Sequence, residues 1–171
     1  MTLDVDCDRI EEFISPELVL EINRFVTEPE SFEADNRIRN LGESNHTLDV
    51  GRSEDFHGKL SFGIVESLIQ TILPQKCGKD RDVIYLTSLI IDELASSQAF
   101  NEGNKRTAYL SGMIFLKNVQ KDKGFDRTVF PVLNQDFVEI LQDLAVKNED
   151  RTVLEKYIRN GIEQTIEEIQ D

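Results

Sequence analysis

The residues best suited to chemistry lie in one short segment, residues 100–108, which reads FNEGNKRTA. A helix is predicted to begin here, and the first turn of a helix has unpaired N–H groups and a partial positive charge that attract phosphate. Gly103 lets the backbone approach an anion closely, and Asn104 is a favourable N-cap. Lys105 and Arg106 add full charges, and a guanidinium can hold phosphate oxygens in a bidentate way. The segment therefore indicates a phosphate-binding site.

Glu102 supplies the one carboxylate of this segment. Carboxylate oxygen is a ligand for the Mg²⁺ that accompanies nucleotides, so the segment fits a magnesium nucleotide. The alternative is structural, because a loop, an N-cap and a solvated basic face use the same residue types, and short motifs have many false matches. Cations in a first helical turn oppose the helix dipole, which favours a bound anion.

Two helical segments must position this loop. Residues 82–95 are apolar on several faces, which is typical of a central buried helix. Residues 104–116 form the next predicted helix, in which Ala108 and Gly112 allow close packing against a neighbour. Phe100 is predicted to be a packed anchor of the loop.

Other segments also show helical periodicity. Ser15-Pro16-Glu17 has the cap, proline and acidic residue of a helix start, and Leu18, Ile22, Phe25 and Val26 then share a face. The remaining predicted helices are 60–73, ended by Pro74, then 134–146, and 150–169, with a break or kink at Asn160-Gly161.

Residues 28–58 lack helical periodicity and are predicted to form a long ordered loop. Leu48 and Val50 alternate before Gly51, a pattern that favours a short β-hairpin within 36–58. Residues 117–131 are polar and are predicted to be a connection. The sequence thus predicts one all-α domain over residues 1–171, with about six or seven helices.

Composition narrows the functional classes. The chain has 171 residues, of which 39% are hydrophobic, and its formal net charge is −14. This negative charge would repel phosphate, which argues against a general nucleic-acid binder. It favours a basic partner or a high-salt environment. A well-solvated surface explains the charge equally well. No apolar run approaches the roughly 18 residues of a membrane span.

The cellular location is predicted to be cytoplasmic. Residues 1–12 are acidic, unlike a secretory signal. Cys7 and Cys77 are too few and too far apart to indicate a disulfide framework or a zinc site, and two thiols suit a reducing compartment.

Residues 98–108 resemble the signature of the Fic/Doc family, His-x-Phe-x-(Asp/Glu)-Gly-Asn-(Gly/Lys)-Arg. Eight positions in residues 100–108 fit its Doc-like form, Phe-x-(Asp/Glu)-Gly-Asn-Lys-Arg-Thr-Ala. The likeness covers about residues 15–118. Members that transfer AMP usually have Gly where this chain has Lys105, and a second Arg where it has Tyr109, so the chain is similar to the Doc toxin-like branch.

The resemblance implies a Fic/Doc-type helical fold with a flap near residues 36–58. It also implies a transferase that moves a phosphoryl or AMP group from ATP, or another nucleoside triphosphate, to a Ser, Thr or Tyr hydroxyl. The target would be a protein such as a translation factor, and an antitoxin chain would be the inhibitor. In the site so implied, Glu102 holds Mg²⁺, while the Gly103 backbone and the side chains of Asn104, Lys105 and Arg106 bind phosphate.

Gln98 stands where the family pattern has His. That His is taken to be the general base for the target hydroxyl, whereas a neutral amide cannot accept a proton near neutral pH. Three explanations are open: a natural degenerate member, an engineered His-to-Gln variant, or a different base, for which His46 and His57 are the only imidazoles. The chain is therefore either an impaired Doc-like transferase or a degenerate Fic-fold module that binds nucleotide or a partner.

Overall fold

The structure is a computed structural model that describes residues 3–27, 57–78, 80–147 and 150–170. These residues form helices, and their one β-type pairing is an isolated bridge between Gly78 and Arg81. The prediction of an all-α bundle is confirmed, with six helices of eleven or more residues in the described ranges. In chain order the elements are a 3₁₀ turn (Cys7–Arg9), α1 (Ile10–Phe13), α2 (Pro16–Thr27), α3 (His57–Ser67), a π turn (Leu68–Ile72), α4 (Leu73–Lys76), α5 (Val83–Ser96), α6 (Asn104–Asp122), α7 (Gln135–Ala145) and α8 (Arg151–Gln170).

Helix α5 lies at the centre of the bundle, as predicted. Asp82 caps it by accepting a hydrogen bond from the Tyr85 N–H at 3.0 Å. The helix contacts α4, α6, α7 and α8, and most of its residues are buried. Because α5 ends at Ser96, it delivers the chain directly to the loop that precedes α6.

Helix α6 begins at the predicted residue, Asn104, but continues to Asp122 and so takes up part of the predicted connection 117–131. Its close packing against α5 is confirmed at Gly112. A Cβ on Gly112 would lie 2.6 Å from Ile91 Cδ1, nearer than real Cβ atoms approach any neighbour. The absence of a side chain at Gly112 therefore allows α5 and α6, the two helices that flank the loop, to pack this closely.

Pro74 does not end the preceding helix, contrary to the prediction. The Leu73 N–H donates to the Leu68 carbonyl, five residues back, so a π turn joins α3 to α4. A new helical segment starts there, and Pro74 occupies its first turn. At that position the missing N–H of proline is tolerated. The helix also begins earlier than predicted, at His57.

The buried residues of α2 differ from the face that the sequence predicts. Ser15 caps the helix, as predicted, by accepting from the Leu18 N–H at 3.2 Å. Phe25, however, is 48% exposed, whereas Val19 and Asn23 are buried with Ile22. Although Phe25 is hydrophobic, the packing buries the adjacent face of the helix, which carries Asn23.

Helices α7 and α8 lie close to their predicted limits, and α8 runs unbroken through Asn160 and Gly161. A Cβ on Gly161 would lie 3.0 Å from Pro131 Cγ, so this glycine serves close packing and does not kink the helix. Leu154, Ile158 and Ile162 are fully buried, so this face of α8 covers the core.

Cys7 and Cys77 form a disulfide with their Cα atoms 5.7 Å apart, so the expectation of two separate thiols is wrong. The pair is 70 residues apart in sequence, and only the fold brings the 3₁₀ turn to the end of α4. The hairpin predicted within 36–58 and His46 fall outside the described residues, except that positions 57 and 58 belong to α3. No helix of the described ranges is long and apolar enough to cross a membrane.

Candidate phosphate-binding site

Gly103 shapes the entry to α6. It is the N-cap, with φ 75° in the left-handed region, and as a glycine it supplies no capping side chain. A Cβ here would lie 3.0 Å from Thr27 Cγ2 and 3.2 Å from Val26 Cγ2. Backbone conformation and contact with α2 both call for glycine. Asn104 was predicted as the N-cap, but it is the first residue of the helix instead.

The side chain of Asn104 holds the loop closed. Its Oδ1 accepts from the Phe100 N–H at 3.0 Å, and its Nδ2 donates to the Phe100 carbonyl at 2.9 Å. Phe100 is 5% exposed, which confirms its predicted role as an anchor. Through these two hydrogen bonds the Asn104 amide fixes the loop, and its predicted contact with phosphate stays a prediction.

Asn23 of α2 also holds this loop in place, a role that the sequence patterns did not predict. Its Nδ2 donates to the Glu102 carbonyl at 3.0 Å and to Thr107 Oγ1 at 3.1 Å. The residue is fully buried, and its Oδ1 has no hydrogen-bond partner in the described structure. A polar residue on the same stripe as Val19 and Val26 was the signal that could have identified it.

The charge of Lys105 has no hydrogen-bonding partner around it in the described residues. The residue is only 8% exposed, and its Nζ is buried without a hydrogen-bond partner in the described part of the chain. Burial lowers its pKa, and the neighbouring charge of Arg106 lowers it further. A buried, unpaired ammonium group is costly, so this position favours an anionic ligand.

Arg106 is buried too, but it connects helices. Its Nη1 donates to the Val26 carbonyl at 2.8 Å, which joins α6 to the end of α2. Burial lowers its pKa, and the charge of Glu102 acts in the opposite direction. The predicted bidentate grip of this guanidinium on phosphate stays a prediction.

Glu102 is half-buried beside this turn. The described residues include no group of three or more His, Cys, Asp or Glu side chains that could hold a metal. Mg²⁺ in nucleotide sites usually takes one or two carboxylates together with phosphate oxygens and water. A single carboxylate at Glu102 fits that kind of site and would not by itself retain a metal.

Gln98 is exposed and has φ 54°, a left-handed conformation that is unfavourable for a residue with a side chain. Such conformations concentrate at functional sites. The amide can donate and accept hydrogen bonds but cannot serve as a general base. Of the alternative bases, His46 lies outside the described residues, and so does the side chain of His57.

The structure thus brings Gly103 and Lys105 together at an uncapped helix start, where an anion would be stabilised. The side chains of Asn104 and Arg106, also predicted to bind phosphate, hold the loop and the helices together in this structure.

Comparison of the chain with protein-family models, with curated proteins and with solved structures gives no match. The contacts at the start of α6 and the resemblance of residues 98–108 to the Fic/Doc signature are the two lines of support for a function.

Proposed function

We propose that the start of α6 binds the phosphates of ATP, or of another nucleoside triphosphate, together with Mg²⁺. The observation that carries this proposal is the buried Lys105 ammonium group, which has no hydrogen-bond partner in the described structure. It lies in the first turn of a helix whose N-cap is a left-handed glycine without a capping side chain. Phosphate would supply the missing negative charge and accept hydrogen bonds from the first-turn N–H groups.

On the strength of the resemblance, the reaction is transfer of a phosphoryl or AMP group to a Ser, Thr or Tyr hydroxyl of a target protein, such as a translation factor. The hydroxyl oxygen bonds to phosphorus and gives up its proton to water, while the bond between that phosphorus and the leaving group breaks and releases ADP in phosphoryl transfer or pyrophosphate in AMP transfer. Such reactions depend mainly on positioning and charge neutralisation. Lys105 and the Gly103 backbone would hold the phosphates, and Glu102 would hold the Mg²⁺ that neutralises them.

Gln98 limits this activity. Loss of a general base costs about 10²–10⁴-fold in rate, so the present sequence is proposed to be an impaired transferase. The same observation favours a second candidate, a degenerate Fic-fold module that binds nucleotide or a partner without turnover. Histidine is among the residues enriched in left-handed conformations, so Gln98→His should be compatible with the backbone at this position.

A cytoplasmic location and an antitoxin chain are further parts of the proposal, and the antitoxin rests on the resemblance. The Cys7–Cys77 disulfide is the observation against the cytoplasm, because disulfides are rare in cytosolic proteins. Thiol labelling of the protein directly after lysis of its native cells would show which state it has there.

The test is transfer of label from α- and γ-labelled ATP to a lysate, comparing the present chain with Gln98→His. We expect only the His form to transfer label, and the label that moves identifies the reaction. Adding Lys105→Met should abolish transfer and Mg·ATP binding, whereas Lys121→Met, the same change at an exposed position of α6, should not. Binding without transfer by either form would support the binding module. Absence of nucleotide binding by calorimetry would overturn the phosphate site itself.

A further inference from the structure

A groove of about 270 Å³ lies next to position 98, between α3 with its π turn and the carboxyl end of α5. Its volume falls just below the roughly 300–1,000 Å³ of small-molecule pockets, so it is sized for a single long side chain. Leu68 and Leu94 form a buried apolar lining, and Ile64, also part of the lining, is 43% exposed. The π turn in the wall is a feature often found at functional sites.

Two polar groups in this groove have unused bonding capacity. Ser97 Oγ is buried and has no hydrogen-bond partner in the described structure. Glu93 also lines the groove, and its carboxylate forms no ion pair with another described residue. A buried acceptor and an unpaired carboxylate beside apolar walls together match a ligand with an apolar stem and a cationic end.

We propose that the groove binds a lysine or arginine side chain of a partner polypeptide. Its methylene stem would pack on Leu68 and Leu94, its charge would pair with Glu93, and one N–H would donate to Ser97 Oγ. The net charge of −14 also favours a basic segment over an acidic one.

The position of the groove gives this contact a role in target selection, which rests on the proposed function. Ser97 directly precedes Gln98, so a polypeptide held at the groove would pass beside the residue at the general-base position. Each residue of an extended chain spans about 3.3 Å, so an acceptor hydroxyl a few residues from the bound cation would reach position 98. Targets with Lys or Arg close to the modified hydroxyl would then be preferred.

The test is an NMR titration of the full chain, with labelled isoleucine and leucine methyl groups, against capped Gly-Lys-Gly and Gly-Arg-Gly peptides. We expect shifts at Ile64, Leu68 and Leu94, and little response to the norleucine peptide, which keeps a stem but has no charge. Glu93→Gln should weaken binding about tenfold, whereas Glu66→Gln, on the neighbouring helix but outside the groove, should not change it.

A second variant separates this site from others on the surface. A Cβ on Gly63 would meet no atom within 4 Å, so Gly63→Leu should fold and fill the groove from α3. It should remove the shifts caused by both basic peptides. Equal binding of the norleucine peptide, or basic-peptide binding that survives both Glu93→Gln and Gly63→Leu, would overturn the proposal. Because the titration contains no nucleotide, its outcome is independent of whether the chain transfers a phosphate group.

Discussion

Lys105 and Arg106 are neighbours in the sequence, but their buried charged groups make different contacts. The Arg106 guanidinium donates to the Val26 carbonyl, whereas the Lys105 ammonium has no hydrogen-bond partner in the described structure. Arg106 thus contributes to packing of α6 on α2. Burial of the Lys105 charge instead has a free-energy cost that no hydrogen bond in the described structure offsets. This property is more typical of functional sites than of structural ones.

Replacing Lys105 with Met should therefore stabilise the ligand-free protein, by about 1–3 kcal/mol near neutral pH. Burial lowers the Lys105 pKa, so the folded state loses its proton at a lower pH than the unfolded chain. The cost is complete below the lowered pKa and shrinks as pH rises toward the ordinary value. Urea unfolding at neutral and at alkaline pH should show the gap between the two proteins narrowing, and a Lys105→Met protein that is less stable at neutral pH would contradict this account. Lys121→Met serves as the matched control.

At the scale of elements, the start of α5 is also the place where α8 is attached. The Asp82 carboxylate caps α5 and accepts two hydrogen bonds from Arg159 of α8, at 2.8 and 3.1 Å. Burial alone would raise the Asp82 pKa, but the bonds from Arg159 and from the Tyr85 N–H lower it below its ordinary value. Asp82 therefore both caps the first turn of α5 and holds α8 against it.

Changing Asp82 to Asn keeps a capping side chain but removes the ion pair, so we expect a loss of about 1.5–3 kcal/mol at neutral pH. Because the folded pKa is lowered, the contribution of Asp82 is present above the ordinary pKa and is lost as pH falls through the lowered one. Acid unfolding followed by circular dichroism should show the two proteins converging at low pH. Asp82→Ala, which also removes the cap, should cost about 0.5–2 kcal/mol more. A difference in stability between the parent protein and Asp82→Asn that stays constant down to low pH would argue against the ion pair.

At the scale of the whole molecule, several contacts attach the amino-terminal segment, residues 3–13, to the bundle. The Cys7–Cys77 disulfide joins it to the end of α4, the Leu3 carbonyl accepts from the Val83 N–H at 2.8 Å, and Arg9 pairs with Asp122 at 2.8 Å. The first two of these contacts lie close to the start of α5. The segment thus secures the end of the bundle opposite the carboxyl end of α5, where the candidate site begins.

Reduction of the disulfide should lower the free energy of unfolding by about 2–4 kcal/mol, since the link restricts the unfolded chain. Thermal unfolding with and without dithiothreitol would measure the effect. The Cys7→Ser, Cys77→Ser double variant should unfold at the lower temperature and should not respond to the reductant. Two titratable thiols in the unreduced, denatured protein would contradict the pairing.

Local patterns in the sequence determined the helices and the position of the loop between them. The cap at Ser15, the buried α5 segment and the start of α6 at Asn104 were all predicted, because capping and periodicity involve residues only a few positions apart. Glu102, Gly103 and Lys105 were predicted as site residues for the same reason, because they are neighbours in one short segment.

Only the tertiary structure decided how that segment is held and which of its charges lacks a partner. Asn23 reaches Glu102 and Thr107 across 79 and 84 residues, and Arg106 reaches Val26 across 80. The Cys7–Cys77 pair likewise depends on three-dimensional packing. Spacing along the chain cannot specify such contacts, because their geometry is set by how the helices pack against one another.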